Sequence, residues 1–270
     1  MPAPHTVGEV LRGSLPLAVN GGLALVALRV ELLVVFWARG SWEAGLFGAA
    51  VKIVEALNGV PSAIAAGAMP ALTREAMQHG SSAVRARTAA TAALLAVPAA
   101  AGLALLAPGV LLVLGQDYVG AAPALRVLAF AVVALYMNVV LLHSLIAAGR
   151  AAWLPRLTAV RVVFAAAVAF VAIPRWGVVA AAAGVLAAEV LLLALAARAC
   201  RLAGFAVPLA APLGVALAAT LPMVAAVALL DGGTILAAVI GALVYTGTLA
   251  LAWTLMRQPL LRLLGTGAAA

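Results

Sequence analysis

LPLAVNGGLALVALRVELLVVFWA, residues 15–38, is an apolar run that carries two charges, Arg29 and Glu31. About 20 apolar residues in a helix cross the roughly 30 Å hydrocarbon core of a bilayer, and this run is long enough to do so. An ionisable side chain at that depth is energetically unfavourable unless water solvates it or a partner pairs with it. The stretch therefore predicts a membrane-spanning helix whose charged residues carry a function or have partners.

The rest of the chain repeats this apolar pattern. Of the 270 residues, 67% are hydrophobic and only 9% are charged, and the mean hydropathy is +1.23. These values exclude an ordinary water-soluble domain, and the lack of two-residue alternation excludes an outer-membrane barrel. We predict an all-α, polytopic membrane helical bundle of about eight transmembrane helices. The predicted spans are 15–38, 44–71, 88–107, 121–147, 155–173, 177–200, 207–230 and 234–256.

The distribution of basic residues predicts the orientation of these spans. Basic loops are retained on the cytoplasmic side, and most of the 16 Lys and Arg residues flank alternate span ends. Both termini are therefore predicted to be cytoplasmic. The basic residues sit in short loops and not on one polar face, so the net charge of +8 does not indicate nucleic-acid binding. The residues on the predicted cytoplasmic flanks are Arg12, Arg74, Arg85, Arg87, Arg150, Arg156, Arg198, Arg201, Arg257 and Arg262.

One face of the second span combines glycines with a pair of opposite charges. Gly45, Gly48, Lys52, Glu55 and Gly59 are spaced by three or four residues, which places them on the same side of a helix. Such a face is turned toward protein or water. Lys52 would bind an anionic head group while Glu55 balances its charge; the alternative is a structural ion pair between packed helices.

Three further charges lie within spans. Arg29 and Glu31 are about 200° apart around a helix, so they meet different neighbours. The planar guanidinium group of Arg29 can donate two parallel hydrogen bonds to a phosphate ligand, and an interhelical salt bridge is the alternative. Glu189 is the only ionisable residue deep in the sixth span, which suits coupling to a proton or another cation. Its alternative is a neutral, hydrogen-bonded acid in a helix interface.

Other polar residues within spans are expected to be structural. Arg126 and Arg161 lie near span ends, from which their side chains can reach the lipid head groups. Asn138 and His143 are expected to form interhelical hydrogen bonds.

No catalytic, cofactor or metal site is predicted, and we expect that the protein is not an enzyme. Lys52 is the only lysine, and its neighbours do not form a phosphate-binding Walker loop. The three histidines are far apart, and Asp117 and Asp231 stand alone, so neither zinc nor magnesium spacing is present.

Four segments of the chain carry motifs that are informative in combination. They are AGLFGAAVKIVEALNGVPSAIAAGAMPALTRE (44–75), LLVLGQDYVGAAPALRVLAF (111–130), LIAAGRAAWLP (145–155) and IPRWGVVAAAAGVLAAE (173–189). Arg29 and Glu31 form a basic-x-acidic pair before them, and Pro70 lies near the cytoplasmic end of the next predicted helix. Together these features resemble oligosaccharide flippases of the multidrug/oligosaccharidyl-lipid/polysaccharide exporter superfamily, which have such a pair and such a proline. Leu46 and Phe47 occupy the area where that family commonly has a tyrosine.

This resemblance implies transport of a lipid-linked oligosaccharide, a polyprenyl diphosphate, across the bacterial inner membrane. Such transport would supply the assembly of O-antigen, lipopolysaccharide or another cell-surface polysaccharide. By the same resemblance, Arg29 and Lys52 would be the cations of the substrate cavity, and Glu31, Glu55 and Glu189 are candidates for ion coupling. The lipid II flippase branch is less similar, because its usual motif does not follow the fourth span.

The resemblance covers residues 10–205, which look like only the second of the family's two six-helix lobes. The predicted organisation is a cytoplasmic segment (1–14), a six-helix lobe (15–204), two additional transmembrane helices (205–256) and a cytoplasmic tail (257–270). Alternating access needs a second lobe, so we expect a truncated flippase, or one paired with another half-transporter or with itself. Two alternatives stay open: a cation-coupled multidrug antiporter of the same superfamily, and a non-transporting scaffold subunit of a polysaccharide export complex.

Overall fold

The computed structural model describes the backbone of residues 7–77, 82–229 and 233–265, and side chains between 14 and 251 except at 24, 27, 28, 78–81 and 230–232. Residues 1–6 of the predicted N-terminal segment and 266–270 of the predicted tail lie outside the described residues, as do the side chains of Arg12, Arg257 and Arg262. The helices are α1 (Val7–Leu57), α2 (Gly59–Met77), α3 (Ala83–Leu105), α4 (Ala107–Leu112), α5 (Ala122–Ala147), α6 (Leu154–Leu202), α7 (Ala210–Ala228) and α8 (Thr234–Gly265), with short 3-10 helices at Gln116–Ala121 and Ala151–Trp153.

The two longest helices are hairpins. A straight helix of 50 residues would be about 75 Å long, more than twice the hydrocarbon thickness of a bilayer. The backbone leaves the helical region at Gly40 (φ 85°, ψ 178°) and at Gly177 (φ 64°, ψ −147°). On either side of these glycines the chain packs against itself: a methyl group added to Gly48 would lie 3.7 Å from Leu32 Cδ1, and one added to Gly184 would lie 3.3 Å from Val168 Cγ1.

We therefore divide α1 into α1a (7–39) and α1b (41–57), and α6 into α6a (154–176) and α6b (178–202). Six helical segments of the described chain are long and apolar enough to cross a membrane, and counting each hairpin as two crossings gives eight. The crossing that begins with α1b continues into α2. The predicted all-α bundle of membrane-spanning helices is confirmed. The turn at Gly40 falls between the first two predicted spans, and the turn at Gly177 falls on the first residue of the sixth.

Helix α5 lies at the centre of the bundle, where it contacts α1, α2, α3 and α6. Its long side chains, among them Leu128 and Met137, are almost completely buried. The α3 surface against it is made of alanines, which allow the two backbones to approach closely, as membrane helices do. Helices α7 and α8 pack at the edge, α7 against α3 and α8 against α7. Polar side chains of α1, α5 and α6 that point inward therefore meet near the bundle axis.

A buried tyrosine supports the interruption between α1b and α2. The helix breaks between Leu57 and Gly59, and the hydroxyl of Tyr136 on α5 donates a hydrogen bond to the carbonyl oxygen of Leu57 at 3.0 Å. A broken helix in a membrane needs such partners for its backbone groups, since lipid offers none.

Replacing Tyr136 with phenylalanine is expected to lower the free energy of unfolding by about 0.5–1.5 kcal/mol, because the carbonyl of Leu57 loses its donor. Equilibrium unfolding in mixed detergent micelles measures the change. Tyr118→Phe, at a partly exposed tyrosine, is the control. Equal stability of the two variants would contradict a supporting role for Tyr136.

Candidate functional site

Two basic side chains lie exposed on the α1 hairpin at the same membrane depth. Arg29 on α1a and Lys52 on α1b are 11 and 12 residues from the turn at Gly40, about 17 Å along either helix. The contact between Gly48 and Leu32 sets this register, because Lys52 follows Gly48 by one turn and Arg29 precedes Leu32 by nearly one. Because a hydrocarbon core is about 30 Å thick, we expect both charges near its middle. We call this surface the cationic face.

Lys52 is paired on its own helix while remaining exposed. Its Nζ donates to Glu55 Oε2 at 2.7 Å, and the exposed fractions of the two side chains are 63% and 19%. The other carboxylate oxygen of Glu55, Oε1, is buried and has no hydrogen-bond partner. Glu55 therefore joins the cationic face to the interior of the bundle.

Behind this face lies a buried ionic network that joins three helices. Arg161 on α6a donates through Nη2 to Glu189 Oε1 on α6b. Asn138 on α5 donates to Glu189 Oε2 at 2.8 Å and to the backbone oxygen of Glu189 at 3.0 Å. All three residues are at least 92% buried. Both carboxylate oxygens of Glu189 are therefore held by donors.

Glu31 completes this group. It is 4% exposed and interacts electrostatically with Arg161 and Glu189. A cavity of about 50 Å³ is lined by Glu31, Glu55, Arg161 and Glu189, together with Asn58 and apolar side chains. We call Glu31, Asn138, Arg161 and Glu189 the buried charge cluster.

The cluster corrects one expectation from the sequence. Arg161 does not extend to the lipid head groups, because its guanidinium is buried against Glu189. The sequence did contain a signal for this pair: the two residues lie 16 residues before and 12 residues after the Gly177 turn, at comparable depth on adjacent arms of one hairpin.

The two uncharged polar residues of α5 behave differently from each other. The interhelical hydrogen bond expected for Asn138 is confirmed by its bonds to Glu189 on α6b. The bond of His143 stays within its own helix, where Nδ1 lies 2.8 Å from the carbonyl oxygen of Val139. A helix carbonyl one turn away was close enough to satisfy that ring nitrogen.

The turns of the two hairpins lie against each other. Arg39 and Glu43, which flank the Gly40 turn, form an ion pair of 3.0 Å. A methyl group added to Gly177 would lie 2.9 Å from Glu43 Oε2 and 3.1 Å from Arg39 Nη2. The close approach of these turns fixes α1 against α6, and with it the position of Glu31 relative to Arg161.

No protein-family model and no curated protein sequence matches the chain. Among solved structures, the chain is similar to one described as the lipid II flippase MurJ in an inward closed conformation, with a TM-score of 0.74 and 12% sequence identity. The alignment covers 90% of this chain and 53% of the flippase, so the chain spans about half the length of that protein. At this level of identity the similarity establishes the fold alone.

Proposed function

We propose that the chain is one lobe of a flippase that moves a lipid-linked oligosaccharide across the bacterial inner membrane during cell-surface polysaccharide assembly, such as that of O-antigen or lipopolysaccharide. The proposal depends on the cationic face. Arg29 and Lys52 are exposed at mid-membrane depth, where lipid tails cannot solvate a charge. A water-filled chamber between two lobes would solvate both, and a diphosphate would pair with them.

The fold supports this role and defines what else it requires. The chain superposes on about half of a flippase, and alternating access works by rocking one lobe against another around a midplane site. The second lobe would be further sequence of a longer protein, a second half-transporter or a second copy of this chain. In each case it covers the cationic face. The orientation that follows from the basic loops places both termini in the cytoplasm.

Replacing Arg29 or Lys52 with alanine is expected to reduce transport at least tenfold, because each loss removes a cation that would hold the diphosphate, an interaction worth about 1.5–3 kcal/mol. The measurement is translocation of a fluorescent polyprenyl-diphosphate oligosaccharide in proteoliposomes. Arg198→Ala, which removes an exposed charge at the far end of α6b, is the matched control.

Each outcome of this experiment has a distinct meaning. Undiminished transport in both variants would remove Arg29 and Lys52 from the substrate site. A wild-type protein that forms inert oligomers and is not stabilised by substrate would instead support the scaffold alternative.

A cation-coupled multidrug antiporter is the second candidate, and the acidic residues around the 50 Å³ cavity favour it. Glu31, Glu55 and Glu189 form a buried or half-buried set of carboxyl groups suited to ion coupling in either kind of transporter. Drug-resistance assays in a sensitive host distinguish the two, because an antiporter confers resistance that depends on these glutamates more than on Arg29 and Lys52.

A further inference from the structure

An apolar groove lies on the side of α5 that faces away from the buried charge cluster. Phe130 and Val133 of α5 line this groove, which has a volume of about 380 Å³. Leu128 and Leu135, each two residues from one of them and therefore about 200° around the helix, line the 50 Å³ cavity beside Glu31. The groove is therefore separate from the charged groups of the candidate functional site.

Three helices form this groove, which we call the α5–α7 groove. Helix α3 packs against both α5 and α7 and supplies the floor, where Val97 and Ala100 are 6% and 3% exposed. The walls are Phe130 on α5 and Leu217 and Leu221 on α7, which are 59%, 58% and 68% exposed. Small residues on the floor between large residues on the walls leave a furrow that is open to lipid.

A basic residue lies beyond one end of the groove. Arg126 precedes Phe130 by four residues, so it lies on the same side of α5 and about 6 Å nearer the start of that helix. Its side chain is exposed, and among the described residues it forms no hydrogen bond, ion pair or ring contact. Because α5 begins only four residues earlier, at Ala122, the guanidinium can extend to the lipid head groups. The apolar walls thus lie at acyl-chain depth, and an unpaired positive charge lies at head-group depth.

These features fit a phospholipid that carries a net negative charge. Lipid tails are as apolar as leucine, so burial of a tail gives little selectivity inside a membrane. Thr220, a polar lining residue, already donates to the carbonyl oxygen of Ala216. Selectivity must therefore come from Arg126, whose guanidinium can donate two parallel hydrogen bonds to a phosphate. A zwitterionic lipid brings its own cation to that phosphate, whereas an anionic lipid leaves Arg126 as the countercharge.

We propose that the α5–α7 groove is a binding site for an anionic phospholipid, with one acyl chain between α5 and α7 and the head-group phosphate on Arg126. Such a lipid joins α7 to α5 across the alanines of α3. It is a bound component of the fold and not the transported substrate, because the groove lies away from the cationic face. The site does not depend on the proposed transport function.

The test is native mass spectrometry of the purified full chain with dioleoylphosphatidylglycerol or dioleoylphosphatidylcholine, which share their acyl chains and differ in net charge. We expect the first molecule of the anionic lipid to bind about fivefold more tightly, the effect of a single basic residue near a membrane surface. Arg126→Gln should remove this preference, and Arg126→Lys should keep most of it.

Two further variants test the groove itself. Ala101→Phe places a ring in the groove and should weaken binding of both lipids. Arg87→Gln is the matched control, because Arg87 is also exposed and lies four residues from the start of α3, at the opposite end of the bundle. This variant should bind both lipids as the wild type does.

Several results would overturn the proposal. These are equal affinity of the wild type for the two lipids, an unchanged preference in Arg126→Gln, and unchanged binding in Ala101→Phe. Tighter binding of a polyprenyl phosphate than of phosphatidylglycerol would assign the groove to a carrier lipid instead. A dimer that Ala101→Phe dissociates would assign it to a second copy of the chain. The wild-type comparison and the Arg126 variants, at an exposed residue, keep the test decisive should Ala101→Phe fail to fold.

Discussion

Replacing Arg161 with methionine is expected to lower the free energy of unfolding by about 3–5 kcal/mol, the largest stability effect predicted for this chain. Methionine keeps much of the volume and the apolar stem but removes the guanidinium, which leaves Glu189 with an uncompensated charge inside the bundle. Asn138 still donates to one oxygen of Glu189, but an amide carries no countercharge. Equilibrium unfolding in mixed micelles of a denaturing and a mild detergent measures the loss.

A double variant separates loss of the pair from loss of packing. Arg161→Met combined with Glu189→Gln removes both charges, so it should be more stable than Arg161→Met alone. Arg156→Met is the matched control, because Arg156 lies on the same arm of the hairpin with an exposed side chain, and its effect should be within about 0.5 kcal/mol. Additive losses in the double variant would show that Arg161 and Glu189 do not stabilise each other.

The spans were predictable because the bilayer imposes them. A membrane-spanning segment must satisfy its own backbone, so long apolar runs become helices whatever their detailed sequence. The hairpin turns were predictable for a related reason. Residues 39–43 and 174–177 combine charge with glycine between two apolar runs, and the structure turns at Gly40 and Gly177 within them.

The partners of the buried charges were not predictable from the same pattern. Hydropathy gives the depth of a residue but not the direction in which its side chain points, and that direction decides whether an arginine reaches lipid head groups or a neighbouring helix. Arg161 is predicted near a span end, and from there its side chain could reach either the lipid head groups or a neighbouring helix. The contact with Glu189 depends on how α6a and α6b rotate against each other, and close packing of small residues such as Gly184 sets that rotation.

The structure sorts the intramembrane charges into two groups that the sequence did not separate. Arg161 and Glu189 neutralise each other inside the bundle, where they hold three helices together. Arg29 and Lys52 stay at the surface at the same depth, with Glu55 between the two groups.

Replacing Gly177 with alanine is expected to produce the second largest effect, a loss of about 1–3 kcal/mol in the free energy of unfolding. That range covers the backbone alone, because φ 64° with ψ −147° is a conformation almost confined to glycine. The added methyl group would also press on Glu43 Oε2 at 2.9 Å and Arg39 Nη2 at 3.1 Å, so their ion pair must move.

Gly40→Ala is the matched comparison. Gly40 has a similar backbone conformation (φ 85°), but a methyl group there meets nothing within 4 Å. Gly177→Ala should therefore be the less stable of the two, since contact between the turns positions α1 against α6. Equal losses in both variants would mean that the turns do not hold each other, and the buried charge cluster would then have to be positioned by α5 alone.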